Sequence, residues 1–449
     1  MGLMRGLVPL LISVVIALGM AGCGGSTASG HSTLTIWYST DDPVESSWSR
    51  GLVRLFERRH PHVAVQMRVY GLDDFNTKMQ TALSAHVPPD LAYATPRAPG
   101  IPIYVGAHEL MDLTSIARSK GWQSLLRPGL LAHYNDPFTL YRSQKAQSGN
   151  ARTPIYGVPD AVAAVGLMYN RALLGRLHLG LPRSEGQLVA DAAIAKRRGY
   201  IPFGLGNADG WLGDDWYLTL VNALYPPSYL GSELRLSRTF TFRRPGFFQA
   251  SRTLDQWATQ GYFTPQFGSL DAQSGIDSFF QGKTLFQLIS STEDAQIMKD
   301  QSTTHIPIGV TAFPAIGGRG VMPYSGYEGW IIPKATKNRT AAIEWIDFML
   351  HPEAKRYLLR HGVLPAMPTA PSQGTTVWQR SYLSSLNTAR PGVYIDAAPV
   401  PNLNATMEAN VAILLQQVEP PSTLPDAMQQ VYTSHGTSHN RVVAIDGEF

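Results

Sequence analysis

Short apolar strands alternate with amphipathic helical patterns along most of this chain, and this alternation limits the folds open to it. Residues 34–38 and 63–69 are each predicted to form a strand, and the helical pattern between them ends at His60-Pro61. A third strand is predicted at residues 91–94, and the same rhythm returns with a strand at 284–289. Strands that alternate with helices favour an α/β fold with a mainly parallel sheet covered by helices.

Polar residues near two strand ends are predicted to cap the helices that follow. Asp73 or Asp74 is expected to be the N-cap of a helix that runs through Leu83. Residues 290–292 offer three hydroxyl side chains that could cap a helix continuing through Met298.

The composition excludes several classes of protein. With 449 residues and 44% hydrophobic content, the chain is long enough for two or more globular units. The formal charge is only +4, and the basic residues are scattered, so no nucleic-acid partner is predicted. Because Cys23 is the only cysteine, disulfides within the chain, thiolate-ligated metal centres and thiol catalysis elsewhere in the fold are excluded.

The N-terminus has the parts of a secretory signal. Arg5 precedes an apolar run at residues 7–20, which is too short to span a membrane comfortably, and the sequence Met20-Ala21-Gly22-Cys23 follows. This cut site resembles a bacterial lipobox, in which the cysteine is acylated. We therefore expect a lipoprotein signal peptide at 1–22, lipidation of Cys23 and a flexible tether at 23–33. The protein would then be extracytoplasmic, lipid-anchored to the outer face of the bacterial cytoplasmic membrane.

Several motifs in a fixed order resemble one protein family. The motifs are Tyr156-Gly157-Val158-Pro159, Phe280-Gln281-Gly282-Lys283, Tyr327-Glu328-Gly329-Trp330, Ala341-Ala342-Ile343-Glu344-Trp345 and His361-Gly362-Val363-Leu364-Pro365. Together they resemble the family 1 extracellular solute-binding proteins of bacterial ABC importers, the group that includes maltose-binding and glycerol-phosphate-binding proteins. Each motif is weak by itself, but their combination extends from Leu34 to about Pro365.

The resemblance implies a periplasmic-binding-protein-like fold, with two α/β lobes of discontinuous segments joined by hinge crossings. The N-terminal lobe would comprise residues 34–159 and 328–376, and the C-terminal lobe residues 160–327 and 377–440, followed by a tail at 441–449. Crossings are expected near 159–162, near 325–328 and after 365. The ligand would be a carbohydrate or polyol held between the lobes and delivered to the transmembrane subunits of an ABC permease. The resemblance implies a monomer without catalytic activity or cofactor.

The predicted ligand-binding residues follow strands or lie in the family motifs. Aromatic planes can stack on the apolar faces of sugar rings, and carboxylates and hydroxyls can bind sugar hydroxyl groups. Trp211, in a Gly-rich polar segment, is the leading stacking residue. The full predicted set is Asp41, Asp42, Tyr93, Asp160, Asp209, Trp211, Ser290, Ser291, Tyr327, Glu328 and Trp330.

Some of these residues also have a structural interpretation. Asp41-Asp42 could cap a helix, Ser290 and Ser291 could do the same, and Trp330 could pack in the hinge.

The sequence gives weaker support for two other functions and for a metal site. A binder of glycerophosphodiesters or amino-sugar derivatives is the alternative within the binding class, although no basic residue is offered near Asn402 to Met407 for a phosphate. A secreted glycoside hydrolase would need two opposed carboxylates, and no motif fixes such a pair. No metal site is predicted, because His435 and His439 have no evident third ligand.

Overall fold

The structure is a computed structural model of the chain. It describes residues 32–40, 43–97, 100–135, 154–231, 240–314, 319–393, 400 and 402–445. The predicted signal peptide, Cys23 and the Asp41-Asp42 pair lie outside the described residues. No helix within the described ranges combines the length and the apolar character that crossing a membrane requires.

Four strands form the first sheet, in the order β2-β1-β3-β9. They are β1 (Ser32–Ser39), β2 (Val63–Tyr70), β3 (Leu91–Ala94) and β9 (Gly329–Ile331). The strands β1, β2 and β3 are parallel, whereas β9 returns from much later in the chain and pairs antiparallel with β3. The three strands predicted in this region are confirmed.

Six strands form the second sheet, in the order β10-β8-β4-β6-β5, with β7 also paired to β4. Their bounds are β4 (Val162–Asn170), β5 (Ile201–Gly204), β6 (Thr284–Ser290), β7 (Ile308–Thr311), β8 (Val321–Gly326) and β10 (Arg390–Gly392). The central strand β4 runs antiparallel to β6, β7 and β8, so the mainly parallel sheet expected from the sequence is wrong for this lobe. The physical reason is that β4 begins directly after the first crossing and β8 ends directly before the second, so a strand that enters the lobe lies beside one that leaves it.

Helices cover both sheets. They are α1 (Pro43–Arg59), α2 (Leu72–Ser84), α3 (Ile101–Gly106), α4 (Thr114–Ser119), α5 (Trp122–Leu125), α6 (Arg171–Arg176), α7 (Glu185–Arg197), α8 (Trp211–Leu224), α9 (Pro227–Leu230), α10 (Pro245–Thr259), α11 (Ala272–Phe280), α12 (Asp294–Thr304), α13 (Arg339–Met349), α14 (Pro352–Arg360), α15 (Val377–Thr388), α16 (Leu403–Leu415) and α17 (Thr423–Ile445). With the two sheets they form the two-lobe α/β architecture expected from the resemblance.

Two expected helix caps and one expected boundary differ from the structure. Helix α2 begins one residue before Asp73, and its N-cap is Gly71, which makes no side-chain capping bond. Helix α12 begins after a short 3₁₀ turn at Ser291–Glu293, so none of the hydroxyl residues 290–292 is its N-cap. Helix α17 extends to Ile445, into the segment predicted as the tail. The remaining lobe boundaries stay a prediction.

Three chain segments cross between the lobes and are hydrogen-bonded to one another. Val158 and Trp330 exchange backbone hydrogen bonds of 3.1 and 2.9 Å. The N–H of Val162 donates to the carbonyl oxygen of Leu364 at 2.9 Å, and the N–H of Ala366 donates to that of Asp160 at 2.8 Å. The crossings are therefore held together as one hinge.

The Tyr134 ring occupies the centre of this hinge and explains two glycines of the family motifs. Tyr134 is fully buried, and its hydroxyl donates to the carbonyl oxygen of Glu328 at 2.8 Å. A Cβ atom would lie 2.7 Å from the ring at Gly157, 2.3 Å from the hydroxyl oxygen at Gly326 and 2.2 Å from the ring at Gly329. Only glycine leaves room for the tyrosine at these three positions.

Candidate functional site

A cavity of about 350 Å³ lies where the ends of several second-sheet strands face the first lobe. Most of its wall belongs to the second lobe, while Pro96 and Arg97 come from the loop after β3 of the first sheet. This position agrees with the rule that ligands bind outside the carboxyl ends of strands in α/β sheets. The lining residues are Pro96, Arg97, Ala163, Trp211, Asp214, Asp215, Leu218, Ser290, Thr292, Glu293, Ser325, Gly326, Tyr327, Asn404 and Glu408.

Trp211 lies on the cavity wall at the first position of helix α8. The sequence predicted a polar loop here, but the chain turns at Gly210, whose φ is +88°, and the helix begins with the indole. Trp211 is only partly buried and contacts both large hydrophobic cores. One side of the indole is therefore held by packing while the remainder is exposed in the cavity.

Polar groups from four elements complete the wall. Ser290 ends β6, and its hydroxyl accepts a 3.0 Å bond from the Thr292 hydroxyl. Carboxylates come from helix α8 (Asp214 and Asp215), from the 3₁₀ turn after β6 (Glu293) and from helix α16 (Glu408). Among the described lining residues, Arg97 is the single basic one. The lining thus combines an aromatic plane with hydroxyl groups and an excess of carboxylates.

Tyr327 lines the cavity from the second crossing. Its backbone N–H donates to the carbonyl oxygen of Ala161 at 3.2 Å, which fixes it to the first crossing. Burial raises the pKa of its hydroxyl well above the usual value, and the nearby carboxylates of Glu45 and Glu328 raise it further. Tyr327 is therefore a neutral hydroxyl that can donate or accept a hydrogen bond.

Three predicted ligand residues belong to the buried hinge instead of the cavity. Asp160 is 2% exposed, and its two carboxylate oxygens accept hydrogen bonds from the Tyr93 hydroxyl at 2.8 Å and the Trp330 indole at 2.9 Å. Burial raises the pKa of Asp160 to about 6, although these two bonds act in the opposite direction. Tyr93 and Trp330 are 1% and 0% exposed. The structure thus places the polar groups of these three predicted residues against one another and not on the described cavity wall.

Glu328 is also placed in the hinge and not in the cavity wall. Its side chain is 4% exposed, and its Oε2 atom accepts no hydrogen bond from the described residues. Burial raises the pKa of Glu328 to about 8; the positive charge of Arg97 lowers it, and the charges of Glu45 and Asp160 raise it. The carboxyl group is accordingly predominantly protonated at neutral pH.

Two further predicted residues have structural partners away from the cavity. Asp209 is exposed, and both of its carboxylate oxygens accept from the backbone N–H of Ala272, at the start of helix α11. The Ser291 hydroxyl donates to the carbonyl oxygen of Val162 at 2.6 Å and accepts from the N–H of Ala164 at 3.0 Å. Ser291 therefore binds the edge of β4 and does not face the cavity.

Of the described residues in the predicted set, Trp211, Ser290 and Tyr327 lie on the cavity wall. The sequence analysis missed Arg97 and Glu408. The position of Arg97, three residues after the end of β3, agrees with the strand-end rule and could have been inferred from it. Glu408 had no comparable signal, because it lies in the middle of helix α16 and only the tertiary structure places that helix beside the cavity.

Comparisons with known proteins agree with the architecture. A family model described as bacterial extracellular solute-binding protein matches residues 40–356. The melibiose/raffinose/stachyose-binding protein MelE of Bacillus subtilis is 22% identical over 365 residues, which are 80% of each chain.

Solved structures show the same fold. A chitin oligosaccharide binding protein superposes with a TM-score of 0.72 at 21% identity and covers 90% of this chain and 100% of its own. A probable secreted solute-binding lipoprotein from Streptomyces coelicolor has a TM-score of 0.73 at 18% identity. The superposition covers 89% of this chain and 98% of that one.

The two lobes, the three crossings and the cavity beside them define a protein of the two-lobe solute-binding class. Within that class, the chain belongs to the family of bacterial extracellular solute-binding proteins, whose model matches most of its length.

Proposed function

We propose that this protein captures a carbohydrate or a related polyol in the cavity and delivers it to the membrane subunits of an ABC importer. The observation that carries the proposal is the pairing of the Trp211 indole with hydroxyl and carboxylate groups on one wall. Sugar rings present apolar C–H faces to aromatic planes and hydroxyl edges to hydrogen-bonding groups. The names of the relatives, a melibiose/raffinose/stachyose-binding protein and a chitin oligosaccharide binding protein, support the same ligand class.

The hinge supports a mechanism of closure. Three hydrogen-bonded crossings allow the lobes to rotate about a common line, and a ligand that contacts both lobes favours the closed form. Arg97 and Pro96 would then provide contacts from the first lobe to a ligand that rests mainly on the second. The closed form would be the one that the permease recognises, with a single chain acting as a monomer.

The test is a thermal-unfolding screen of neutral sugars and polyols, including melibiose, raffinose and chitin oligosaccharides. A ligand that binds only the folded form raises the midpoint with its concentration. Binding by the parent protein, with the sugar recovered unchanged and no new reducing ends, would support a receptor without catalytic activity. New reducing ends would support a glycoside hydrolase instead, and the absence of any shift would contradict the proposed ligand class.

A second candidate ligand is an amino sugar. The described lining carries four carboxylates and one guanidinium group, which favours a cation over a glycerophosphodiester. Comparing glucosamine and N-acetylglucosamine oligomers of equal length tests this point, because acetylation replaces each positively charged ammonium group with a larger, neutral amide. Tighter binding of the free amines would support it, and tighter binding of the acetylated forms would contradict it.

We also propose that acylated Cys23 anchors the protein outside the cytoplasmic membrane. The apolar run at residues 7–20, followed by Met20-Ala21-Gly22-Cys23, supports this attachment. A Cys23→Ser variant should be released into the medium or periplasm, while the parent stays with the membrane fraction and incorporates labelled fatty acid. Equal release of both proteins would contradict the anchor.

A further inference from the structure

Two histidines and one glutamate meet at the edge of the first sheet that lies opposite the cavity. His60 and His62 flank Pro61 in the turn between α1 and β2, and Glu344 lies in α13. Val63, which directly follows His62, pairs with Ser32 at the first position of β1, so the cluster lies at the amino ends of these strands. Strand β3 is parallel to β1 and ends near Arg97, so the cavity lies at the carboxyl ends. The cluster is therefore separated from the cavity by the length of the sheet.

The donor atoms converge on one carboxylate oxygen. Glu344 Oε2 lies 3.6 Å from His60 Nδ1 and 3.3 Å from His62 Nε2, and the three atoms lie within 4.8 Å of one another. Ligands about 2.0–2.1 Å from a tetrahedral zinc ion are themselves about 3.3–3.4 Å apart. The distance from His62 to Glu344 matches this spacing, the distance from His60 to Glu344 is about 0.2 Å longer, and the two histidine nitrogens lie within 4.8 Å of each other.

The turn that carries the histidines is held in place by its backbone and by ring packing. The N–H of His60 donates to the carbonyl oxygen of Phe56 at 2.8 Å, and the N–H of Val63 donates to that of His60 at 2.9 Å. The His60 ring stacks on the Phe56 ring with a centroid distance of 4.4 Å. The backbone of the turn and the His60 ring are thus held in place before an ion arrives, which reduces the entropy lost on binding.

The side chains also leave access for an ion. His62 is 62% exposed and opens the cluster to solvent on its side, whereas Glu344 Oε2 itself is buried and accepts no hydrogen bond from the described residues. We propose that His60 Nδ1, His62 Nε2 and Glu344 Oε2 bind a divalent transition-metal ion of the zinc type, with water completing its coordination. Two imidazole nitrogens and one carboxylate oxygen suit zinc, whereas Ca²⁺ and Mg²⁺ prefer an all-oxygen set.

The ion would tie the turn after α1 to helix α13, which is supplied from a distant part of the chain. Such a link would stabilise the first lobe without contact to the sugar cavity. The sequence predicted no metal site, and the only histidine pair it offered for one was His435 and His439. Glu344 is distant from His60 and His62 along the chain, so no local spacing marks this cluster. The site does not depend on the proposed sugar-binding function.

The proposal is tested with the full chain, purified without a histidine tag and treated with chelator. We expect ZnCl₂ to bind with one-to-one stoichiometry in calorimetry and to raise the unfolding midpoint, while MgCl₂ and CaCl₂ do neither. His62→Ala and Glu344→Gln should each weaken zinc binding by more than the roughly tenfold that loss of an outer-sphere partner causes. His86→Asn, which removes an exposed histidine outside the cluster, should bind zinc as the parent does.

Three results would overturn the proposal: no saturable zinc binding by the folded parent, binding that both variants retain, or equal binding of Mg²⁺. A loss of stability in Glu344→Gln without any effect of zinc would mean that the cluster is only a set of His–Glu ion pairs. If a variant does not fold, the visible absorption spectrum of Co²⁺ added to the parent protein tests whether the site binds a metal ion. Visible absorption bands of low-symmetry bound cobalt, removed by competing Zn²⁺, are expected, and a spectrum of aqueous cobalt would contradict the site.

Discussion

The indole Nε1–H of Trp330 donates a 2.9 Å hydrogen bond to Oδ2 of Asp160, and this bond joins two of the three crossings between the lobes. The other carboxylate oxygen of Asp160 accepts from Tyr93 in the first sheet. Tyr93 also stacks on Tyr38 with a centroid distance of 4.7 Å and an interplanar angle of 7°. A single buried carboxylate therefore connects the hinge to the sheet of the first lobe.

Replacing Trp330 by phenylalanine should destabilise the protein beyond the loss of ring volume. The variant leaves Oδ2 of Asp160 without its indole donor, and an unsatisfied buried polar group costs about 1–3 kcal/mol. Trp345→Phe is the matched control, because this indole is also fully buried but its Nε1 donates to no described residue. Urea unfolding at pH 7 should show the larger loss for Trp330→Phe; equal losses would mean that the bond contributes nothing.

The contribution of Glu328 to the stability of the protein should fall as the pH rises from about 5 to 8. The native pKa of Glu328 is about 8 against an ordinary value of 4.5, so the folded state binds the proton more tightly than the unfolded state. The stabilisation that this proton contributes is fully present at a pH below 4.5, the ordinary pKa of a glutamate. It is lost as the pH rises through the native pKa of about 8. The raised pKa of Asp160, about 6, acts in the same direction.

Glu328→Gln should remove much of this pH dependence. Relative to the parent, we expect the variant to gain at least about 1.4 kcal/mol at pH 8, the equivalent of one pKa unit, and to gain little at pH 5. Glu419→Gln, which changes an exposed carboxylate, is the control and should not alter the profile. Parallel profiles for the parent and Glu328→Gln between pH 5 and 8 would contradict the assignment.

Trp211→Ala should weaken binding of the identified sugar by about tenfold or more, or about 1.4 kcal/mol, because the stacking plane is lost. Trp37→Ala removes another partly exposed indole, which packs against Tyr70 outside the cavity, and should leave the affinity unchanged. Calorimetric titration measures both. If the two variants bind as tightly as the parent, Trp211 is not a stacking residue for that ligand.

Gly329→Ala should destabilise the hinge by about 1–3 kcal/mol, the usual cost of overpacking a filled core. The added Cβ would lie 2.2 Å from the Tyr134 ring, which is closed in on several sides. Gly175→Ala in α6 is the matched control, since nothing lies within 4 Å of its Cβ position, and helix propensity favours alanine there. Denaturant midpoints that move equally for the two variants would show that the ring can shift without cost.

The sequence by itself determined the strands β1, β2 and β3, the helices α1 and α2 between them, and the family of the protein. Apolar period-2 and helical patterns in β1, α1 and β2 reflect local burial, and the motif glycines reflect the space that Tyr134 requires. The periodic patterns and the glycine-containing motifs each lie within a short stretch of the chain, so both can be recognised from the sequence.

Only the tertiary structure decided which polar side chains face the cavity. Asp160 and Glu408 are both acidic residues with no local mark of their role, yet the first is buried by Tyr93 and Trp330 and the second lines the cavity. The same holds for Glu344, which meets His60 and His62 through the packing of α13 on the first lobe. The direction and solvation of a side chain depend on partners distant along the chain, and these contacts exist only after the chain has folded.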